Sequence, residues 1–473
     1  MSNTRLLGSS EHPLRVAVIG SGPAGFYVVQ QLFDTPDLTV KCDVFERLPT
    51  PFGLVRLGVA PDHQKTKSVV KVYHKLATNP DFRFFGGVEY GKDVFLADLQ
   101  AHYHCIVFTT GAQTDRRMNI PGEDLIGSYA ATEFVAWYNG HPDYCDRQFD
   151  LTHPVAVIVG VGNVSIDVAR ILASTTEELQ TTDIPDYALR ALKNSGIREI
   201  YILGRRGPVQ AAFTNPEIRE LGRMADADVR TFEHELVIDA SSQKAADSDA
   251  MLQRKLEILQ DYATPVKVPK PRRVTLRFLT SPLEIIGDQK GNVRGVRTVR
   301  NKLSCDKEGR THSTQTEQSE LIETGLILRS VGYKGKPLPG LPFLDDRGIV
   351  PNDQGRVIDP SIDNTIRGIY VSGWIKRGAS GVIGTNKSDA KETVANLLAD
   401  FRQKTILSPQ NLDSEDIENL LRNREIRYVS YGEWQKIDRL ETEMGVSNHQ
   451  PRVKITSREE IFKALDSIAS TKD

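Results

Sequence analysis

The chain is poor in cysteine: its 473 residues include four, Cys42, Cys105, Cys145 and Cys305, and no two stand near each other. No C-x-x-C spacing exists, so a local redox dithiol is excluded, and scattered thiols of this kind suit a reducing compartment rather than a disulfide-stapled scaffold. Cys42 and Cys105 fall in apparent strands and read as small core residues. Long apolar runs are also missing. None approaches the roughly 18 residues that a membrane-spanning helix needs. Charge of one sign is not in excess either, with 60 Lys and Arg against 62 Asp and Glu. A net charge of −2 gives no global basis for binding nucleic acid or a membrane, so any charged partner must meet a local patch. The first residues lack the apolar centre of a signal peptide, and Met-Ser-Asn-Thr-Arg is short for a transit peptide. The expected location is cytoplasmic, with a processed form in the mitochondrial matrix as the alternative.

What is present is glycine, in three patterned stretches. The first is Val16-Ala-Val-Ile-Gly20-Ser-Gly22-Pro-Ala24-Gly25, an apolar strand running into G-x-G-x-x-G and a helix-like segment. A helix that starts at such a turn presents unpaired N–H groups to a pyrophosphate. A second apolar run ends on Glu46, about twenty residues further on, where an acid can bond an adenosine ribose. A dinucleotide therefore binds here. The stretch that follows, through Leu54 and His63 to Lys67, is rich in proline and glycine and reads as a long loop walling the same site.

The second stretch is Val155-Ala-Val-Ile-Val-Gly160-Val-Gly162-Asn163-Val164-Ser165-Ile-Asp167-Val-Ala-Arg170, again strand, glycine turn and helix. Its companion strand ends on Gly204-Arg205-Arg206-Gly207. Where the first unit carries a carboxylate, this one carries two arginines. A carboxylate favours a free 2′-hydroxyl, and arginine accommodates a 2′-phosphate through bidentate, charge-assisted bonds. Two like turns with opposite charge at the equivalent place imply two ligands, most simply FAD at the first and NADP(H) at the second. The third stretch, from Gly373 and Trp374 through Gly381, Val382 and Ile383 to a helix from about Lys387, offers another helix N-terminus. Such an end can stabilise the negative charge that a reduced flavin develops.

These features predict an α/β fold with two Rossmann-like dinucleotide-binding domains: residues 1–112 and 325–473 form a discontinuous FAD-binding domain with a C-terminal extension, and 113–324 an inserted NADP-binding domain. Strands at 274–279, 293–299 and 323–328 read as a sheet returning to the first domain. The polar segment 239–249 reads as a surface loop, and the last seventy or so residues as charged helices without chemistry.

Together, GSGPAGFY, PTPFGLVRLGVAPDHQKTK, VGVGNVSIDVAR, GRRGP and GWIKRGASGVIGTNK, with VSYGEW near the end, resemble adrenodoxin reductase and the bacterial ferredoxin–NADP reductases related to it, over nearly the whole chain. The resemblance implies NADPH oxidation, two electrons onto FAD and single-electron transfer to a [2Fe–2S] ferredoxin or adrenodoxin-like protein. It implies that Ala24, Glu46, Leu54, Val88, Trp374 and the run Gly381, Val382, Ile383 contact FAD, alongside Gly20, Gly22 and Gly25. It places Gly162, Asn163 and Val164 on the NADP pyrophosphate, Arg205 and Arg206 on the 2′-phosphate, and Glu217 as a further contact. Histidine changes charge near neutral pH, so His63 is the candidate for handling the proton that accompanies the electrons. The resemblance adds Asp167 and Glu220 as its orienting or relaying partners. No metal site is expected.

The basic loop with Lys267, Lys270, Arg272 and Arg273 is the expected docking place for an acidic carrier. A flavin disulfide reductase is ruled out by the missing cysteine pair. A flavin oxidase or monooxygenase, and a flavin subunit of a larger electron-transfer complex, are the alternatives.

Overall fold

A computed structural model describes residues 7–266, 268–306 and 311–470. The first glycine strand, Leu14–Ile19, is buried along its whole length. It is an interior strand of a 7-stranded sheet, parallel to Val40–Glu46 on one side and Cys105–Phe108 on the other. Strands buried on both faces read as continuous apolar runs, as Cys105–Phe108 does. The strand Asn364–Val371 joins the same sheet beside Cys105–Phe108, in register Ile369 to Ile106. The first unit is therefore completed from the far end of the chain. The helix Pro23–Phe33 packs against Thr385–Arg402, so the first and third glycine stretches share one layer.

The second unit is a 6-stranded sheet whose central strand is Val155–Val159. Its members are all parallel, and Glu199–Leu203 pairs with Val155–Val159 in register Val159 to Leu203. A separate antiparallel sheet of Thr280–Gly287, Val293–Cys305 and Thr311–Glu323 is appended to it. Two chain crossings join the units side by side, Thr114–Asp115 antiparallel to Tyr333–Lys334.

Several expectations need correction. None of the three strands expected to return to the first sheet does so. Arg272–Arg277 and Leu326–Arg329 lie in the 6-stranded sheet, and Val293–Cys305 lies in the antiparallel one. The second unit thus extends through Arg329, beyond the boundary at 324. A short buried apolar run looks the same whichever parallel sheet receives it. The 239–249 segment is helical at Ala240–Asp247, because the Asp239 carboxylate accepts the N–H groups of Ser241 (2.9 Å) and Ser242 (3.0 Å). The C-terminal helices Tyr431–Ser447 and Arg458–Ser470 form as expected, and they bury Trp434 and Ile461 in the core of the first unit. Among the described residues, no helix is long and apolar enough to cross a membrane.

Candidate active site

The first turn is built by what its glycines avoid. Gly20 has φ +107°, and a Cβ there would stand 2.7 Å from the Thr109 carbonyl oxygen. A Cβ on Gly25 would lie 2.3 Å from the Gly20 oxygen, so helix and turn close only around glycine. Gly22 differs in having open space where a Cβ would go. The helix Pro23–Phe33 starts there with no side chain capping its N–H groups, as a pyrophosphate cradle requires. Glu46 is fixed at its strand end by bonds that its carboxylate accepts from Ser21 N–H (3.0 Å), Ser21 Oγ (2.8 Å) and Leu48 N–H (3.1 Å). Ser21, which sequence reasoning passed over, ties the acid to the turn. Val88 is buried beside it, its N–H donating to the Glu46 carbonyl at 2.9 Å. Leu54 is 42% exposed on the short helix Leu54–Leu57.

The third stretch closes on the first: a Cβ on Gly373 would meet the Ala24 Cβ at 2.6 Å. Asp389 accepts the Gly373 N–H and an Arg377 N–H (2.9 Å), which pins the strand end to the long helix. Trp374 donates its indole N–H to the Ser380 carbonyl at 3.0 Å and packs 5.3 Å from the Tyr333 ring. Gly381 (φ +81°) and Val382 are exposed and Ile383 half-buried ahead of the helix, which begins at Thr385, two residues earlier than expected.

In the second unit Gly160 (φ +128°) repeats the Gly20 geometry, 2.1 Å from the Ser330 oxygen if it carried a Cβ, and Gly162 again faces open space. Asn163 does more than line the turn. Its side-chain oxygen accepts the Thr214 N–H at 2.8 Å, holding the segment that leads to Glu217. Val164 is half-buried against the core. Arg205 is exposed and Arg206 half-buried, and among the described residues neither guanidinium has a partner within the chain.

The loop of the first unit meets the second unit at His63. Its Nε2 lies 2.7 Å from Glu220 Oε2 and 3.9 Å from Glu217 Oε2, and its Nδ1 lies 3.9 Å from Asp167 Oδ1. The three residues proposed to manage the proton are thus brought together. Arg170 organises them from behind, with its side chain 6% exposed. Its Nε and NH2 donate to Asp62 at 2.5 and 3.0 Å, and NH2 also donates to Asp167 Oδ1 at 2.8 Å. Its NH1 comes to 3.7 Å from Glu217 Oε2 without forming a hydrogen bond.

Burial, with Asp167 adding repulsion, pushes the Glu217 carboxyl up to about 7, against the opposing pull of His63 and Arg170. Burial also raises Asp167, while Arg170 and His63 restrain it. Asp62 goes the other way: burial opposes ionisation, but the Arg170 hydrogen bonds hold it below its ordinary value. Glu217 is poised near neutrality, and Glu220, 46% exposed, connects the group to solvent. His63, Asp167 and Glu217 offer donors within 4.8 Å of one another, but Arg170 already bonds the Asp167 oxygen, which suits proton exchange better than metal ligation. Arg170 and Asp62 were missed in the sequence, though Arg170 follows Asp167 by one helical turn, the spacing of an ion pair.

The basic loop is less free than its composition suggests. Lys270 Nζ donates to the Met224 carbonyl at 2.6 Å, Arg272 to the carbonyls of Ala173 and Ser174 at 3.3 Å, and Arg273 leans on Glu199 at 3.5 Å. Lys267 lies outside the described residues.

Two glycine-turn units of one design, with a titratable cluster where they meet, define a two-domain dinucleotide-dependent oxidoreductase. No family model matches the chain. It is 43% identical over 459 residues to the NADPH-ferredoxin reductase FprA of Mycobacterium leprae, covering 96% of this chain and 98% of that protein. It is 39% identical over 466 residues to the mitochondrial NADPH:adrenodoxin oxidoreductase of Arabidopsis thaliana, covering 96% of each. The solved structure of Mycobacterium tuberculosis FprA in complex with NADPH superimposes with a TM-score of 0.90 at 42% identity, over 96% of this chain and 100% of that one. The chain belongs to the ferredoxin–NADP reductase family of the adrenodoxin reductase type.

Proposed function

We propose that this protein is an FAD-dependent NADPH:ferredoxin oxidoreductase that delivers electrons to an iron–sulfur carrier protein. The observation that carries this reading is the contrast between two equivalent strand ends: Glu46, tied to the first turn through Ser21, and Arg205 with Arg206, unpaired beside the second. The residues present fit both cofactors. Gly22 and Gly162 leave open the space that a pyrophosphate needs, and both following helices start without side-chain caps. FAD belongs to the unit of residues 1–112 and the chain beyond the second crossing, and NADP to the unit between.

When bound, FAD would supply the conversion between a two-electron hydride donor and a one-electron acceptor. The protein's part is position and electrostatics. Gly20, Gly22, Ala24 and Gly25 seat the flavin nucleotide, and Glu46 accepts from its ribose. Leu54, Val88, Trp374 and the run Gly381 to Ile383 would supply the remaining FAD contacts. The start of Thr385–Arg402 has no side-chain cap, and its N–H groups would be available to stabilise negative charge developing on the flavin. Gly162, Asn163 and Val164 hold the second pyrophosphate. Arg205 and Arg206 would hold the 2′-phosphate, with Glu217 as a further NADP contact. His63, with Asp167 and Glu220, holds and moves the proton.

Because the Glu217 carboxyl titrates at about 7, its protonated form is present below that pH and lost above it. Flavin reduction measured by stopped flow is expected to carry an inflection near neutrality that Glu217→Gln removes. His63→Gln is expected to slow the same step or shift its pH profile while NADPH still binds. A pH–rate profile unchanged in both variants would sink the proton role.

The carrier is inferred to be an acidic [2Fe–2S] protein that docks near Lys267, Lys270, Arg272 and Arg273, with the cytoplasm as the location. Three of these cations are partly committed within the chain, so the attraction rests on the loop's summed charge rather than on free side chains. The deciding experiment is anaerobic NADPH-driven reduction of a panel of [2Fe–2S] ferredoxins by the FAD-loaded protein. Carrier-mediated cytochrome c reduction is expected to fall steeply with salt. A salt-independent rate argues against the docking place. Fast NADPH oxidation in air with no carrier reduced would favour the flavin oxidase alternative.

A further inference from the structure

A cavity of ≈ 280 Å³ lies at the junction of the 52–74 segment, the second unit and the C-terminal helices. On the short helix Leu54–Leu57, Leu54 is exposed beside the first turn, whereas its neighbours Val55 and Arg56 are 1% and 6% exposed and line the cavity. The walls are cationic. Arg56, Lys67, Lys71, Arg452 and Lys454 face it, against Asp183 and Asp438 in the lining and Glu441 behind.

These carboxylates are already shared out. Arg56 donates to both Glu441 oxygens at 2.8 and 2.5 Å, and Arg452 to Asp438 at 2.6 Å and Glu441 at 3.1 Å. Asp183 is divided between Lys67 at 2.7 Å and Lys454 at 3.3 Å. What remains unmet is all donor: Arg56 Nε and the Trp434 indole N–H are buried without partners. The exposed Lys71 has no side-chain partner among the described residues. Burial, opposed by Asp183 and reinforced by repulsion from Lys67 and Arg56, holds the Lys454 ammonium well below the ordinary lysine range. The site thus lacks an acceptor and negative charge, and buried donors without acceptors are costly. The aromatic edge of Phe52 and Trp434, 6.0 Å apart, closes the remaining wall.

We propose that this cavity binds a phosphate-class dianion, held by Arg56, Trp434 and Lys71, at a site distinct from both dinucleotide sites. A cavity of ≈ 280 Å³ with several separate donors on its walls suits a polyoxygen anion rather than a chloride. Its place in the fold gives it an effector's reach. The helix Gln64–Lys67 starts at His63, and the Lys67 N–H donates to the His63 carbonyl at 3.2 Å, so the element that contributes Lys67 to the cavity also seats the proton-handling histidine.

The test uses FAD-loaded protein carrying Arg205→Ala and Arg206→Ala, so that the flavin phosphate site is filled and the 2′-phosphate site disabled. Inorganic phosphate is titrated calorimetrically at constant ionic strength. Saturable one-site binding is expected. Lys71→Glu should weaken it about tenfold or more, equivalent to roughly 1.4 kcal/mol. Trp434→Phe, which keeps the ring and removes the N–H, should weaken it several-fold. No saturable heat in the parent, or an affinity equal to the parent's in either variant, would overturn the proposal. Should Trp434→Phe fail to fold, the surface variant Lys71→Glu decides alone. The readout is binding, so it stands or falls independently of the ferredoxin assay.

Discussion

Replacing Arg205 and Arg206 together with alanine is expected to raise the KM for NADPH by about three orders of magnitude and to leave NADH use nearly unchanged. Each guanidinium offers charge-assisted bonds to a phosphate dianion, worth roughly 2 kcal/mol apiece. Each 1.4 kcal/mol or so is a tenfold change, so the pair accounts for a factor near a thousand. Among the described residues neither guanidinium has a hydrogen-bond or ion-pair partner, so alanine removes no such bond and the fold should be little affected. Comparing the two nucleotides in steady-state kinetics isolates the phosphate, because NADH differs from NADPH only there. Equal losses for both nucleotides would mean that these arginines do not read the 2′-phosphate.

The second large effect is expected from Arg170→Leu. The guanidinium is buried and bonded to two carboxylates, and removing one member of such a cluster leaves the others buried and unpaired. That costs about 3–5 kcal/mol, which for a domain of this size lowers Tm by roughly 10 °C. The pH dependence has a definite sign. Asp62 is held below its ordinary pKa, so its pairing contributes fully above the unfolded value and is lost as pH falls through the depressed one. The variant should be less stable near neutral pH and should lose less on acidification. Without Arg170 the carboxyls of Asp167 and Glu217 should also rise, moving the pH–rate inflection upward. Arg170→Lys should restore part of the stability, since it returns the charge without the fork. A Tm and a pH profile that both match wild type would show that Arg170 neither supports the fold nor sets the cluster.

Much of this was legible because glycine turns are stereotyped. Gly20 and Gly160 adopt φ values that other residues avoid, and each is followed by a helix start at fixed spacing, so the pattern survives in one dimension. Glu46 and Arg205 were legible for the same reason: a strand end sits a set distance from its turn. What escaped depends on contacts between distant parts of the chain. Nothing local to Leu326–Arg329 says which sheet it joins. Nothing in Arg56 indicates Glu441, and nothing in Lys67 indicates Asp183. The cations of the basic loop were counted correctly, but their inward bonds to main-chain carbonyls follow from the path of the neighbouring strands. The helix at Ala240–Asp247 was within reach, since an aspartate ahead of small residues is a cap, but polarity was allowed to outweigh it.

The paired crossings Thr114–Asp115 and Tyr333–Lys334 have the form of a hinge, two straps laid together between two bodies. The ion pairs elsewhere decide how freely it turns. Arg170 with Asp62, Asp183 with Lys67 and Lys454, and Asp143 with Arg47 and Arg458 each join a residue of one body to residues of the other. Opening the cleft between the two units would require breaking these pairs, of which the buried Asp183 cluster is the most costly.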